Sequence, residues 1–343
     1  MAAVRYALQA DMDRITRRRF LGLTAAAGAA AALAAAGCGG ETPQAPPTNA
    51  RRSPDPIPSE APTDATRQTP RPEAGRPVLA VARGGDPRDI TAAAVDELGG
   101  IKRFVRRGDD VVIKPNICTG YHGPDYAATT NPVVVATLVA LCRGAGADRV
   151  RVMDSPFGGP ADEAYRVSGI AAAVDEAGGE MELMAPAKFQ EVEIPAGRAI
   201  SSWPIYRDVL SCDVLINVPI AKDHGLTRLS LGGKNLLGVI LDPGSLHGDI
   251  GQRTADLLSV CRPTLTVVDA VRILTANGPT GGDLDDVERL DTVIAGTDAV
   301  AADSYAATLF GLDGGDVPYV RAAAQMGLGE IDLDGVDVRR VRV

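Results

Sequence analysis

The stretch Val214-Leu215-Ile216-Asn217-Val218-Pro219-Ile220, followed at once by Ala221-Lys222-Asp223-His224, organises the reading of the whole chain. A short apolar run that breaks abruptly into charge is the pattern of a buried strand whose end emerges into a crevice. Downstream come Gly232-Gly233-Lys234-Asn235, then Pro243-Gly244 and His247. Two of the chain's three histidines, His224 and His247, therefore bracket a glycine-framed lysine. This segment is the leading candidate for a chemical site.

Outward from it, short β-branched runs alternate with longer alanine-rich segments of helical period. That is the signature of βαβ units, so the expected fold class is α/β, a mainly parallel, Rossmann-like sheet with flanking helices. Strands are predicted at 78–82, 110–113, 149–153, 214–218, 265–268, 292–295 and 336–343. Helices are predicted at 131–143, 161–176, 254–261, 299–310 and 318–326, with 180–195 as an antiparallel or peripheral excursion. Each apolar strand is followed by polar residues: Lys114-Pro115-Asn116, Asp154-Ser155-Pro156, Lys222-Asp223-His224 and Asp269. The carboxyl ends of parallel strands face one crevice, so these ends are predicted to converge on one ligand. The competing reading makes Asp154 a helix cap and Lys114 a strand-end lysine with a buried stem.

The first 77 residues are set aside from the fold. Thr16-Arg17-Arg18-Arg19-Phe20-Leu21 matches a twin-arginine signal, and an alanine-rich apolar run to Ala36 follows it. That run is shorter than the roughly 20 residues of a spanning helix. It ends in Ala35-Ala36-Gly37-Cys38, a lipobox-like sequence, so residues 1–38 read as a signal cleaved before Cys38, with Cys38 lipidated. The alternative is an anchor that is never cleaved. Residues 39–77 are rich in Pro, Thr, Ser, Ala and charge, and read as a disordered tether. The expected partners are the twin-arginine translocase, the lipoprotein-processing machinery and the membrane through the lipid anchor. The expected location is the outer side of the cytoplasmic membrane. Residues 78–343 remain as an α/β domain.

A formal charge of -9 without aromatic-basic clusters argues against nucleic acid as a partner. Beyond Cys38 the cysteines are Cys118, Cys142, Cys212 and Cys261, with no C-x-x-C pair, so no iron-sulfur cluster is expected in this chain. Cys142 reads as a buried small hydrophobe, and disulfide pairing among the four stays open. No G-x-S-x-G, H-E-x-x-H or Walker sequence occurs, which removes local support for hydrolase, zinc-protease and NTPase readings.

The candidate site residues follow from what their side chains do. His224, Lys222 and Asp154 are the candidate catalytic groups, since an imidazole serves as base or nitrogen ligand near neutrality. The charges of Lys222 and Asp223 push the His224 pKa in opposite directions, so its sign stays open. Lys114, Asn116, Lys234 and Asn235 are the candidate cofactor-binding residues. The Gly232-Gly233 pair permits close approach of a phosphate or carboxylate to the backbone, with Lys234 as counter-charge; a surface turn with a solvated lysine is the competing reading. His247, His224 and Asp269 are the candidate metal ligands. His122, in a long loop, reads as part of a lid or as exposed.

Taken together, Val111-Val112-Ile113-Lys114-Pro115-Asn116, Thr130-Asn131-Pro132, Lys222 to His224, Lys234-Asn235-Leu236-Leu237-Gly238, His247, Val268-Asp269-Ala270, Gly278-Pro279-Thr280-Gly281-Gly282 and residues 295–303 resemble the domain of unknown function 362 family. The resemblance spans 78–343 and implies fold and site, since the family's activity is not established. Many of its members carry ferredoxin-like cysteine motifs, which this chain lacks. The order histidine, glycine-framed lysine, Pro-Gly, histidine is similar to the lactate racemase family, which holds a nickel-pincer nucleotide. By position, that resemblance makes Lys234 the cofactor-bearing lysine, His247 a nickel ligand and His224 a proton shuttle. Two departures stand out: no second histidine lies near Asp154, and Lys114-Pro115-Asn116 replaces an arginine-proline element. Two functions are expected. One is an exported, lipid-anchored, enzyme-like protein using a metal or nucleotide-like cofactor on a small anionic substrate, with isomerase, racemase or redox chemistry. The other is a non-catalytic solute-binding lipoprotein.

Overall fold

Alternation along a single strand sets up the layers. In β1 (Val78–Arg83), Leu79 and Val81 turn into one apolar cluster while Ala80 and Ala82 turn into another, as side chains of period two must. The computed structural model describes residues 76–343. The expected signal at 1–38, its Cys38, and all but the last two residues of the expected tether lie outside the described residues.

The further strands are β2 (Asp110–Pro115), β3 (Arg149–Val152), β4 (Glu180–Met181), β5 (Phe189–Glu193), β6 (Ser202–Tyr206), β7 (Val214–Val218), β8 (Ile220–His224), β9 (Arg228–Ser230), β10 (Leu265–Leu274), β11 (Val287–Gly296) and β12 (Asp337–Arg342). The large sheet runs β12-β1-β11-β10-β7-β2-β3-β4, with β8 pairing β10 and β9. Its centre, β10-β7-β2-β3-β4, is parallel throughout, whereas β11 lies antiparallel to both β1 and β10. The α/β class holds, as a mostly parallel mixed sheet. Helices Pro87–Glu97, Pro132–Ala145 and Ile170–Glu176 cover one face, and Ile250–Val260, Ala299–Thr308 and Pro318–Gln325 the other. Burying such side chains on both faces contributes about 1.5–3 kcal/mol each and holds the strands in register. Among the described residues no helix is long and apolar enough to cross a membrane.

The departures from the sequence reading have local causes. The helix expected over 161–176 is broken into Ala161–Val167 and Ile170–Glu176, because Gly169 adopts a left-handed conformation with φ 72°. Helix Pro87–Glu97 was not anticipated, although Asp86-Pro87 signals it: the Asp86 carboxylate accepts from Arg88 N–H at 2.8 Å and the proline sits in the first turn. Within 180–195, β4 adds in parallel to β3 and only β5 is antiparallel, paired with β6. Cys118, Cys142, Cys212 and Cys261 are all free thiols, and Cys142 is fully buried.

Candidate functional site

Lys114 lies one residue before the end of β2, Asp154 two residues past β3 and Lys222 within β8, and all three side chains are buried. Lys114 and Asp154 are 1% and 3% exposed and form an ion pair of 2.8 Å. The Lys114 ammonium also donates to Pro115 O and to Asn235 Oδ1, each at 2.8 Å. The Asp154 carboxylate accepts the backbone N–H groups of Ile117 and Ser155 as well. Asp154 is thus the partner of Lys114; the following helix begins after Pro160 without a side-chain cap. Burial pushes the Asp154 carboxyl up and the Lys114 amine down from their ordinary values, against the attraction between them. Gly238 is required at this point, since a Cβ there would stand 1.9 Å from Asp154 Oδ1 and 2.6 Å from Lys114 Nζ.

Lys222 has another kind of environment. It is 1% exposed, and its three protons go to neutral oxygens: Asn116 Oδ1 at 2.9 Å, Ala128 O at 2.6 Å and Pro279 O at 2.9 Å. The charge is solvated by dipoles and pairs with no carboxylate among the described residues, and burial lowers its pKa against the attraction of Cys118 and Asp154. Asn116 donates to Asn235 Oδ1 at 3.0 Å, and Asn235 donates to Lys114 O and to Asn217 Oδ1. Lysines, asparagines and Asp154 form one buried network across the ends of β2, β7 and β8.

The glycine turn is where the structure corrects the sequence reading. Gly232 and Gly233 open the short helix Gly232–Asn235, and their N–H groups are free to take an anion. That anion is the protein's own Asp303, whose two carboxylate oxygens accept from Gly232 and Gly233 at 2.7 and 2.8 Å. A ligand phosphate or carboxylate therefore has no backbone cradle here. Asp303 clamps the turn from helix Ala299–Thr308, while Lys234 and Asn235, which follow it, both line the cavity. Burial lifts the Asp303 pKa to about 7, partly offset by the two N–H groups.

Lys234 emerges from this clamped turn half-buried, and its ammonium has no hydrogen-bond or ion-pair partner among the described residues. Burial first, and then the charge of Lys222, lowers its pKa to about 8. His224 is 7% exposed, and its Nδ1 accepts from Leu226 N–H at 3.1 Å. That bond leaves the ring proton on Nε2. Burial, with Lys234 and Lys222 nearby, depresses the His224 pKa to about 3, so the ring is neutral at physiological pH.

Lys114, Asn116, Asp154, Lys222, His224, Lys234, Asn235 and His247 all line one cavity of about 750 Å³. The predicted convergence of distant strand ends thus takes place. Asp269 does not join it: its carboxylate is fully buried and accepts from Asn131 N–H at 2.7 Å and Val271 N–H at 3.0 Å, anchoring the start of helix Pro132–Ala145. His122 stacks on Tyr126, with ring centroids 4.5 Å apart, and is not part of the cavity wall. The sequence reading passed over Asn217, Asp303 and Cys118. Asn217 was legible as a polar residue inside an apolar strand and Asp303 as a carboxylate in an alanine-rich helix, whereas nothing local marked Cys118 as a cavity residue.

These donors do not make a metal cage from side chains alone. Asp269 is spent on backbone N–H groups, and His224 presents an N–H where a metal-bound ring presents a lone pair. Among the described residues no three His, Cys, Asp or Glu side chains stand close enough together to hold a metal ion. The unpaired amine of Lys234 does fit attachment or contact of an organic group, with the His247 ring on the same cavity wall.

The family model described as domain of unknown function (DUF362) matches residues 111–308, more than half of the chain and all of the cavity's strand ends. The chain belongs to the DUF362 family. A thylakoid-associated protein of Synechocystis sp., sll1697, is 28% identical to this DUF362 chain over 249 residues, covering 68% of this chain and 73% of that protein. Among solved structures, the lactate racemase apoprotein from Thermoanaerobacterium thermosaccharolyticum is similar, with a TM-score of 0.41 and 11% identity. The match covers 64% of the DUF362 chain and 54% of the racemase chain, about half of the latter's length.

Proposed function

We propose that this DUF362 chain is an enzyme-like protein that binds a small anionic substrate in the lysine-lined cavity and transfers a proton on it, chemistry of the isomerase or racemase type. The supporting observation is the excess of cation: three lysines face the cavity, and the Asp154 carboxylate offsets one of them. Lys222 is held by three neutral oxygens and supplies field without moving. Lys234 has a free amine with a pKa of about 8, near the range where a group both gives and takes a proton. Neutral His224, with its proton on Nε2, is suited to donate a hydrogen bond to a developing oxyanion rather than to act as base. The proton-shuttle role expected for His224 thereby passes to Lys234.

Were the chain instead to carry an organic cofactor, Lys234 would be its attachment point, with His247 as a nitrogen donor beside it, and the Lys234 amine would then no longer shuttle the proton. This follows the positional likeness to the lactate racemase family and the absence of a competing partner for the Lys234 amine. The twin-arginine and lipobox sequences support export and anchoring at Cys38 on the outer side of the cytoplasmic membrane, and acyl-chain mass on Cys38 tests that part. For the site, intact mass and elemental analysis of natively purified protein report any group on Lys234. Incubating the protein with 2-hydroxy and 2-keto acids in deuterium oxide then reports proton exchange at the α-carbon. Exchange that is lost in Lys234→Met supports the proposal. A ligand that raises the melting temperature without exchange indicates the non-catalytic solute-binding function instead.

A further inference from the structure

The cavity is chemically two-sided, and its far side has no part in the reading above. Its inner wall carries Lys114, Lys222, Asn116 and Asn235 at the strand ends. The rest of its lining includes the apolar side chains of Ile117, Phe157, Leu226, Leu237 and Pro243, of which Phe157 and Leu226 reach solvent. Phe157 and Leu226 are 63% and 61% exposed, among the few large apolar side chains so placed. Tyr121, 60% exposed, lies close to the residue after Phe157: a Cβ on Gly158 would stand 2.7 Å from its hydroxyl. Two of the seven exposed large hydrophobics of the described residues thus line this one cavity, and exposed apolar side chains so placed mark a ligand groove rather than random exposure. A volume of about 750 Å³ also lies in the range of pockets for drug-sized ligands, far beyond a three-carbon acid.

We infer that the ligand of this cavity is an amphipathic anion, a carboxylate or phosphate head seated against Lys234 and Lys222 with an apolar body lying between Phe157 and Leu226. This rests on the anion-binding reading of the same cavity and adds the substrate's other half. The head meets the cavity lysine whose ammonium has no partner among the described residues, while the body covers side chains that otherwise face water. Phe157 and Leu226 become specificity-determining residues, and the polar network sets only where the head sits.

The test is calorimetric binding of acetate, butyrate, hexanoate and octanoate to the full-length chain, with octyl phosphate and neutral octyl glucoside as controls. Affinity is expected to rise about fourfold per added methylene until the groove is filled. Octyl phosphate is expected to compete with octanoate, and octyl glucoside to bind at least tenfold more weakly. Phe157→Ser with Leu226→Ser, both at exposed positions that leave the core intact, is expected to flatten the chain-length series without weakening acetate. Equal affinity along the series, an unchanged slope in the double variant, or equal binding of octyl glucoside overturns the inference. Short acids that bind and are lost in Lys234→Met, with no chain-length effect, leave the anion site standing and remove only the apolar half. If no anion binds at all, both readings fall together.

Discussion

Lys114→Met tests the buried ion pair on which the polar network is built. The substitution keeps the length of the stem and deletes the ammonium, leaving Asp154 with two backbone N–H donors and no counter-charge at 3% exposure. Breaking one partner of a buried pair costs about 3–5 kcal/mol. At roughly 2–4 °C per kcal/mol for a domain of this size, the melting temperature should fall by roughly 10 °C. The loss should also depend on pH. Burial already raises the Asp154 pKa, and removing Lys114 raises it further, so the folded variant binds a proton more tightly than its unfolded chain. Its stability is then greatest at acid pH and declines as the pH rises through the folded pKa. Lys114→Met with Asp154→Asn removes the stranded charge and should be more stable than Lys114→Met alone above neutrality. Differential scanning calorimetry at pH 5 and pH 8 on the wild type, Lys114→Met, Asp154→Asn and the double variant measures this. A single variant within 1 kcal/mol of wild type, or a double variant whose loss equals the sum of the single losses, refutes the argument that the pair acts as a unit.

Peptide-resolved acetylation across pH should show Lys234 reacting with a midpoint near 8, well below ordinary lysines, and Lys222→Met should move that midpoint upward by removing a like charge. Asp303 rises from 3.8 to about 7 on folding, so its contribution to stability is fully present below about pH 4 and is lost as the pH climbs toward 7; Asp303→Asn should abolish that decline in a melting-temperature profile. The His224 ring, depressed to about 3, should show no protonation shift in nuclear magnetic resonance titrations between pH 8 and pH 5. Gly238→Ala drives a Cβ into the Lys114–Asp154 pair and should destabilise by more than about 2 kcal/mol by denaturant titration, whereas Gly244→Ala, whose nearest contact is 3.5 Å away, should be close to neutral.

The α/β class and the strand ends were legible because they rest on local periodicity. A run such as Val214 to Ile220 must be buried whatever surrounds it, and Lys222 and His224, breaking that run, must find polar company or a cavity. The family motifs and the convergence of Lys114, Asp154, His224, Lys234 and His247 followed from knowing where parallel strands end. Helix Pro87–Glu97 was equally local and was passed over.

Pairing was not legible, because the chain contains more candidate partners than the site uses. Gly232 and Gly233 had the geometry of an anion cradle, and 71 positions separate Gly232 from the carboxylate that fills it. Asp269 reads in the sequence as closing an apolar run, yet β10 continues through it to Leu274, and a backbone N–H 138 positions away takes its carboxylate and removes it from the cavity. Sequence determined which residues are polar at the carboxyl edge of the sheet. Tertiary structure alone decided which of them neutralise one another and which, Lys234 above all, are left with a charge and no partner. The physical reason is that burial is a property of a segment, whereas compensation of a buried charge is a property of a pair, and the pair exists only once the chain has closed.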